Sequence, residues 1–252
     1  MSKHQISYLS KRPPASLNHL IESIWMLTNA AEESIEGIIL PDGKIDLFLF
    51  LNQQDHFEIF ISGICDEPIR KPAFPKSRMF AVSFYPTAAE YLFKESFADL
   101  HNKRHVFEDH FIGFCKADMD DFSAFYDKTC TTVTHLMNRN IDQRRLRLFE
   151  LINQYNGEIK VEALAKAIGW TARSINRYFR KWLGITLKNY IDIIKFSNAL
   201  KQLKLGSLYP ELDYADQSHF IKAVKKFSGS KPTVLAWNKN DRFIQLTVMD
   251  CC

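Results

Sequence analysis

The sequence has few glycines and cysteines, and these shortages narrow the kinds of protein it can be. Its 9 glycines are scattered over 252 residues, so there is no glycine-rich loop to cradle a phosphate group. The 5 cysteines are odd in number and include no Cys-x-x-Cys pair, which favours reduced thiols over a disulfide framework. The longest apolar run, 45–51, is interrupted by Asp46 and is too short to span a membrane. We therefore expect a cytoplasmic protein with no signal peptide and no membrane partner.

Charge is distributed unevenly along the chain. Residues 141–252 carry 19 basic and 10 acidic side chains, whereas residues 1–140 carry 14 basic and 19 acidic ones. A basic half joined to an acidic half indicates that only the basic half meets a polyanion. A solvated surface that binds no polyanion could carry the same numbers of charges. A sequence motif is therefore needed to choose between the two interpretations.

The first part of the sequence predicts a small antiparallel β-barrel or sandwich. Short apolar runs at 38–40, 45–51, 57–61 and 78–85 are separated by turn-forming residues. Further along, Thr87 and Glu90 have the spacing of a capping box, which predicts a helix that runs to about Ser96. Longer helices are predicted at 118–138 and 141–155 from the spacing of their apolar residues.

Residues 161–183 have the pattern of a helix-turn-helix unit. Gly169 permits the sharp turn that ends the first helix, and Thr171 is a suitable N-cap for a second helix over 172–183. A recognition helix packs one face on the preceding helix and presents the other to base edges in the major groove. Here the apolar face comprises Ile175, Tyr178, Phe179 and Trp182, and the opposite face comprises Arg173, Asn176, Arg177, Arg180 and Lys181.

A second unit follows a long connecting helix predicted over 187–203. Asp216 is a suitable N-cap for a helix that reaches about Phe227, and Pro232 suits the first turn of a last short helix. The apolar face of the longer helix comprises Phe220, Val224 and Phe227, and its polar face includes Gln217, Ser218, His219, Lys222, Lys225 and Lys226.

The residues of both units match a known pattern. In the first unit these are Leu164, Ala165, Gly169, Trp170, Thr171, Ile175, Arg177, Phe179 and Gly184. In the second they are Asp216-Gln217-Ser218-His219-Phe220, Lys222, Lys225, Lys226, Gly229 and Pro232. Residues 141–237 thereby resemble the DNA-binding domain of AraC/XylS-type transcription regulators. Leu40-Pro41-Asp42-Gly43 and Phe84-Tyr85-Pro86 resemble segments of a small β-rich domain often found ahead of such domains, where it senses effectors or mediates oligomerisation.

The resemblance implies that double-stranded DNA is the partner and that two recognition helices enter major-groove segments about one helical turn (~34 Å) apart. It assigns base reading to Arg173, Asn176, Arg177, Gln217, Ser218 and Lys222. It assigns phosphate contacts to Thr171, Arg180, Lys181, Lys188, Lys225 and Lys226. Residues 207–215 depart from the family pattern, because they are about three residues short and contain Pro210. A short or distorted supporting helix is expected there.

The predicted fold is α+β, with an antiparallel β domain followed by an all-α domain of two helix-turn-helix units joined by a long helix. We place a β-rich sensing or oligomerisation domain at 1–115, a helical connection at 116–150, the DNA-binding domain at 151–240 and a tail at 241–252. A sequence-specific transcription regulator is the predicted function. The alternatives are a protein-interaction module whose second unit has lost DNA docking, and an enzyme on the β domain, for which the sequence gives little support.

Other partners and sites are less clearly marked. His101, His105 and His110 form a cluster with Glu108 and Asp109, for which a structural or solvated role is favoured over a metal site. Asp42 is explained as a turn residue, whereas Asp46 lies in an apolar strand and could contact either a ligand or the backbone. We expect no cofactor. A small effector inside the β domain and a homodimer are both compatible with the sequence, and the aromatic residues of the 118–139 helix could serve the dimer or pack on the β domain.

Overall fold

The computed structural model describes residues 6–32, 34–73, 75–205, 217–238, 242–244 and 246. The strands are β1 Ile6–Lys11, β2 Ile21–Asn29, β3 Ile35–Ile39, β4 Ile45–Leu51, β5 Phe57–Ser62, β6 Ile69–Ala73, β7 Ser77–Phe84 and β8 Arg104–Phe107. The α-helices are α1 Phe122–Leu136, α2 Gln143–Gln154, α3 Val161–Ile168, α4 Ala172–Leu183, α5 Leu187–Lys204, α6 Gln217–Ser228 and α7 Pro232–Trp237. Asp216 and the stretch 207–215, for which a cap and a shortened supporting helix are predicted, lie outside the described residues.

The strands form two antiparallel sheets. Six of them lie in the order β1-β2-β7-β4-β5-β8, and β3 pairs with β6. All seven α-helices named above follow the last strand. The predicted α+β architecture, an antiparallel β domain ahead of a helical domain, is therefore confirmed. The domain limits at 115, 150 and 240 stay a prediction.

The central strands of the larger sheet are buried on both faces. Successive side chains of a strand point to opposite sides of the sheet, and both sets are covered here. On one face Leu47 and Leu49 of β4 belong to the main hydrophobic core. On the other face Phe48 stacks on Phe60 of β5 with ring centroids 4.8 Å apart. These two residues, with Phe50, Ala81, Trp25 and Met79, form a separate cluster.

The main core continues without a break from the sheet into the helices. Phe122 and Phe125 of α1 pack on Phe80 of β7, with ring centroids 5.4 Å and 5.3 Å away. Within the helical domain Phe149 of α2 packs against Tyr190 of α5, at 5.6 Å between ring centroids. Of the two roles predicted for the aromatic residues of α1, the structure shows packing on the β domain.

The segment after β7 differs from the helix predicted for it. The helical segment there is short: Thr87 and Ala88 are helical, a π-helical turn follows at Ala89–Phe93, and the predicted continuation to Ser96 is not formed. The Thr87 hydroxyl donates to the His19 carbonyl (2.8 Å) instead of capping the turn. Glu90 forms an ion pair with Arg145 of α2. The predicted capping box is therefore wrong, because both side chains have partners from distant parts of the chain.

Candidate nucleic-acid interface

The first helix-turn-helix unit forms as the sequence predicts. Gly169 ends α3 in the left-handed conformation, with φ of 68°. Thr171 caps α4, since its side chain accepts a hydrogen bond from the Ser174 N–H at 3.1 Å. Ile175 and Phe179 are fully buried and fix the inner face of α4 against the core. The outer face of α4 is thereby presented to solvent.

The outer face of α4 carries three arginines, Arg173, Arg177 and Arg180, all of which are exposed. Within the described part of the chain none of the three guanidinium groups has a hydrogen-bond or ion-pair partner. Lys181 is also exposed, and its ammonium group lies 5.1 Å from the Trp182 ring centroid. Unpaired arginines on a rigid helix can bond to guanine edges or to phosphates without first breaking an internal contact.

Asn176 has a different environment from the arginines beside it. Its side chain is half-buried; the amide nitrogen donates to the Ala172 carbonyl (3.2 Å), and the amide oxygen accepts from the Leu187 N–H (3.1 Å). Leu187 is the first residue of α5, where backbone N–H groups have no partner within the helix. The base-reading role predicted for Asn176 is therefore unfavourable, because the amide already serves to join α4 to α5.

Helix α5 connects the two units. Its predicted inner face is confirmed, because Tyr190, Ile194, Leu200 and Leu203 are buried. Its 18 residues span roughly 27 Å at 1.5 Å per residue. Lys188 lies exposed near its start and forms an ion pair with Asp192 one turn later (2.7 Å). A phosphate contact by Lys188 would have to compete with Asp192.

Helix α6 presents the predicted polar face of the second unit. Phe220, Val224 and Phe227 are buried, and Phe227 packs against Phe196 of α5 with centroids 5.3 Å apart. The residues predicted to read bases or to contact phosphates are all exposed: Gln217, Ser218, Lys222, Lys225 and Lys226. Lys226 has a partner, the side-chain oxygen of Asn189 in α5 at 2.9 Å.

The N-terminal domain contacts the C-terminal end of α4. The Ser96 hydroxyl donates to the Lys181 carbonyl (2.6 Å), and the Phe97 N–H donates to the Trp182 carbonyl (2.9 Å). These two carbonyls belong to the last turn of α4, where no helical partner exists. Gly184, with φ of 73°, lies so close to this segment that a Cβ there would stand 2.5 Å from the Ala98 carbonyl oxygen. The sequence patterns gave no sign of this contact.

A second contact between the domains centres on Asp66. Its carboxylate accepts a hydrogen bond from Asn102 (2.7 Å), has His101 Nε2 at 3.0 Å, and accepts another bond from the Asn189 side chain of α5. Burial alone would raise the pKa of Asp66, but the bonds from Asn102 and Asn189 and the His101 charge outweigh it and lower this pKa. His101 thus serves in a structural contact, whereas His105 lies on β8.

The Leu-Pro-Asp-Gly segment also lies against the helical domain. Asp42 shapes the turn, since its carboxylate accepts from the Lys44 N–H at 3.0 Å. A Cβ on Gly43, whose φ is 76°, would stand 2.9 Å from Ile194 and 3.1 Å from Tyr190, both in α5. Asp46, in contrast, accepts a hydrogen bond from Ser83 (2.5 Å), and Ser83 in turn accepts one from the Trp25 indole (2.9 Å). Asp46 therefore has a side-chain partner within the sheet.

We expect Asp46 to make the stability of the protein fall as pH rises. Burial and the neighbouring Asp42 raise the pKa of Asp46 to about 8 in the folded state, although the Ser83 bond opposes the shift. An acid whose folded pKa exceeds its unfolded value stabilises fully below the unfolded value, and this stability is lost as pH rises through the folded pKa. Between pH 5 and pH 8 the free energy of unfolding of the unsubstituted chain should therefore fall by roughly 3–4 kcal/mol more than that of Asp46→Asn.

Urea unfolding at both pH values measures this difference. Asp109→Asn is the matched control, because it removes an exposed carboxylate that has no ion pair among the described residues. A pH dependence of Asp46→Asn that equals that of the unsubstituted chain would contradict the prediction.

A cavity of about 350 Å³ lies between the β domain and α2. It is lined by Asn18, His19, Tyr85, Thr87, Leu146, Arg147, Phe149, Glu150, Asn153 and Gln154. Burial lowers the pKa of His19, and within the described residues its Nε2 is buried without a hydrogen-bond partner. This cavity lies at the boundary with α2 and not inside the β domain, where a small effector is expected from the sequence, and that expectation stays a prediction.

Among the described residues, no group of three or more His, Cys, Asp or Glu side chains is placed to hold a metal ion. In the same part of the chain, no helix is long and apolar enough to cross a membrane.

Comparison with known families finds one match in each half of the chain. Residues 164–236 match the family described as a helix-turn-helix domain, and residues 10–106 match a domain of unknown function (DUF6597). No curated protein matches the sequence. The predicted resemblance of the C-terminal part to an AraC-type helix-turn-helix domain is confirmed.

Solved structures of ToxT from Vibrio cholerae are similar to the whole chain at low identity. An apo form of a single-site variant from strain SCE256 is 6% identical, with a TM-score of 0.43 over 94% of this chain and 98% of that one. The wild-type protein of that strain with bound unsaturated fatty acid is 9% identical, with a TM-score of 0.41 over 94% and 97%. ToxT from strain O395 bound to (E)-4-(8-methylnaphthalen-1-yl)but-3-enoic acid is 9% identical, with a TM-score of 0.42 over 92% and 98%. Similarity at this level assigns no role to any residue.

Proposed function

We propose that this chain, whose residues 164–236 match a helix-turn-helix domain of the AraC type, is a sequence-specific DNA-binding transcription regulator. The observation that carries the proposal is the division of α4 into two faces. Ile175 and Phe179 anchor the helix in the core, while Arg173 and Arg177 project from its early turns into solvent. A recognition helix places the side chains of its first turns against base edges in the major groove.

Base reading is proposed for five residues. Arg173 and Arg177 act in α4, where each guanidinium can bond a guanine in bidentate fashion. Gln217, Ser218 and Lys222 act in α6, all exposed at the start and middle of that helix. Asn176 is left out because its amide is bonded to α5.

Phosphate contact is proposed for six further residues in and next to the helices α4, α5 and α6. They are Thr171, Arg180, Lys181, Lys188, Lys225 and Lys226. Contacts of this kind supply affinity without sequence information, and each neutralised phosphate makes binding more sensitive to salt. Lys188 contributes least, because Asp192 competes for its ammonium group.

The cavity beside α2 is the proposed place for a small effector. Its volume of about 350 Å³ lies within the range of small-molecule sites. The lining suits a polar molecule that forms several hydrogen bonds, since it offers the unpaired Nε2 of His19 and the amides of Asn18, Asn153 and Gln154. A molecule bound there would touch both the β domain and the helix that precedes the first helix-turn-helix unit.

Selection of duplexes from a random pool by the full chain tests the proposed function. We expect a recovered sequence motif with two conserved segments about one helical turn apart (~10 base pairs). Binding to the recovered duplex should weaken steeply with salt. If no motif is recovered even at low salt, the transcription-regulator function is rejected in favour of a protein-interaction module.

A further inference from the structure

The second recognition helix, α6, is linked to the N-terminal domain through a side chain of α5. Lys226 of α6 donates to the side-chain oxygen of Asn189 (2.9 Å), and the side-chain nitrogen of Asn189 donates to Asp66 of the loop between β5 and β6. The amide oxygen of Asn189 thus bonds to α6, and its amide nitrogen bonds to the β domain. The chain of bonds runs from Asp66 through Asn189 to Lys226.

Asp66 is itself held rigidly. Its side chain is 16% exposed, and its backbone N–H donates to Asn102 Oδ1 (2.9 Å) while Asn102 Nδ2 donates back to its carboxylate (2.7 Å). His101 Nε2 lies 3.0 Å from the same carboxylate. A carboxylate fixed by two neighbours orients the third group bonded to it, which is Asn189.

The end of the same loop and the start of β6 also approach the end of α6. A Cβ on Gly229, the residue that follows α6, would stand 3.4 Å from the Arg70 guanidinium and 3.8 Å from the Pro68 ring. Residues 66–70 of the N-terminal domain therefore meet the second unit at two places, indirectly through Asn189 and directly at Gly229.

We propose that Asp66 and Asn189 are positioning residues for the second recognition helix, so that the N-terminal domain fixes where α6 meets DNA. The role rests on the proposed function and deepens it. Asp66 orients the Asn189 amide, and that amide holds the ammonium group of Lys226 toward the phosphate backbone. Reading of the second DNA segment then depends on Asp66, whose side-chain bonds among the described residues go to Asn102, His101 and Asn189 and not to α4, the helix that reads the first segment.

The test uses the full chain and the duplex recovered by selection, together with two altered duplexes in which one or the other conserved segment is scrambled. For Asp66→Ala we expect about tenfold weaker binding to the intact duplex. Binding to the duplex that keeps only the first segment should change by less than about twofold. The slope of the logarithm of the binding constant against the logarithm of salt concentration should also fall, by the amount expected for about one lost phosphate contact. Asp109→Ala, which removes an exposed carboxylate of the same domain, is the matched control and should change none of these.

A pair of substitutions separates positioning from loss of folding. Asn189→Asp places two carboxylates against each other, and adding Asp66→Asn restores a donor and an acceptor in exchanged positions. We expect the single variant to lose its binding to the second DNA segment, and we expect the double variant to regain that binding. Equal weakening at both segments, no rescue, or unchanged binding by folded Asp66→Ala would each overturn the proposal. A selection that recovers no motif would instead reject the proposed function itself.

Discussion

Replacing Arg173 and Arg177 together by alanine is expected to weaken binding to the selected duplex by about a hundredfold or more, since each bidentate contact to a base contributes roughly 1–3 kcal/mol. Both arginines are exposed, and within the described residues neither guanidinium has a partner. Their removal should therefore leave the free energy of unfolding nearly unchanged. Equilibrium binding at fixed salt to the selected duplex and to a scrambled duplex measures the loss of both affinity and specificity.

The control for this pair removes two positive charges elsewhere. Arg139 and Lys103 are exposed and lie outside the two helix-turn-helix units, so their joint replacement by alanine tests the effect of net charge alone. If both double variants lose equal affinity for both duplexes, the base-reading assignment of α4 is wrong.

Asn176→Ala gives the contrasting result within the same helix. It leaves the Leu187 N–H without its side-chain acceptor, so we expect a loss of stability of about 1–2 kcal/mol. The ratio of binding to selected and scrambled duplexes should stay constant. A changed base preference with unchanged stability would restore Asn176 to the base-reading set.

Gly184→Ala is expected to destabilise the protein by about 3 kcal/mol. Two effects combine, because Gly184 has φ of 73° and its new Cβ would stand 2.5 Å from the Ala98 carbonyl oxygen. The left-handed conformation alone costs an alanine roughly 1–2 kcal/mol. The remainder arises because α4 must separate from the segment 96–98, which supplies hydrogen bonds to the Lys181 and Trp182 carbonyls.

Gly169→Ala is the matched substitution for this prediction. Gly169 ends α3 with a similar φ of 68°, but nothing lies within 4 Å of its would-be Cβ. It should therefore show the conformational cost alone, near 1 kcal/mol. Denaturant unfolding of both variants measures the difference. Equal losses would show that the contact between Gly184 and Ala98 carries no energy.

The first helix-turn-helix unit could be predicted from the sequence because its signals are local. Gly169, Thr171 and the apolar spacing of α4 each act within a few residues, so the ends of α3 and α4 follow from them. The exposure of Arg173 and Arg177 follows from the same periodicity. The central strands β4, β5 and β7 were also evident, because continuous apolar runs mark strands that are buried on both faces.

The features that were missed depend on residues far apart in the chain. β2 mixes polar and apolar side chains over nine residues, and its place in the sheet comes from pairing with β1 and β7. The role of Asn176 requires the position of Leu187, and that of Thr87 requires His19. Asp66 has partners at 102 and 189. No spacing rule relates such positions, since tertiary packing alone brings them together.

The uninterrupted core that links the sheet to the helices has a consequence for how the protein responds to its surroundings. Because both halves bury apolar side chains in one cluster, opening either half would expose surface of the other. Any molecule that binds only the folded β domain then adds its binding free energy, RT ln(1 + [L]/Kd), to the resistance of the DNA-binding helices against opening. A ligand bound to the β domain would thus slow the hydrogen exchange of the recognition helices without changing their shape.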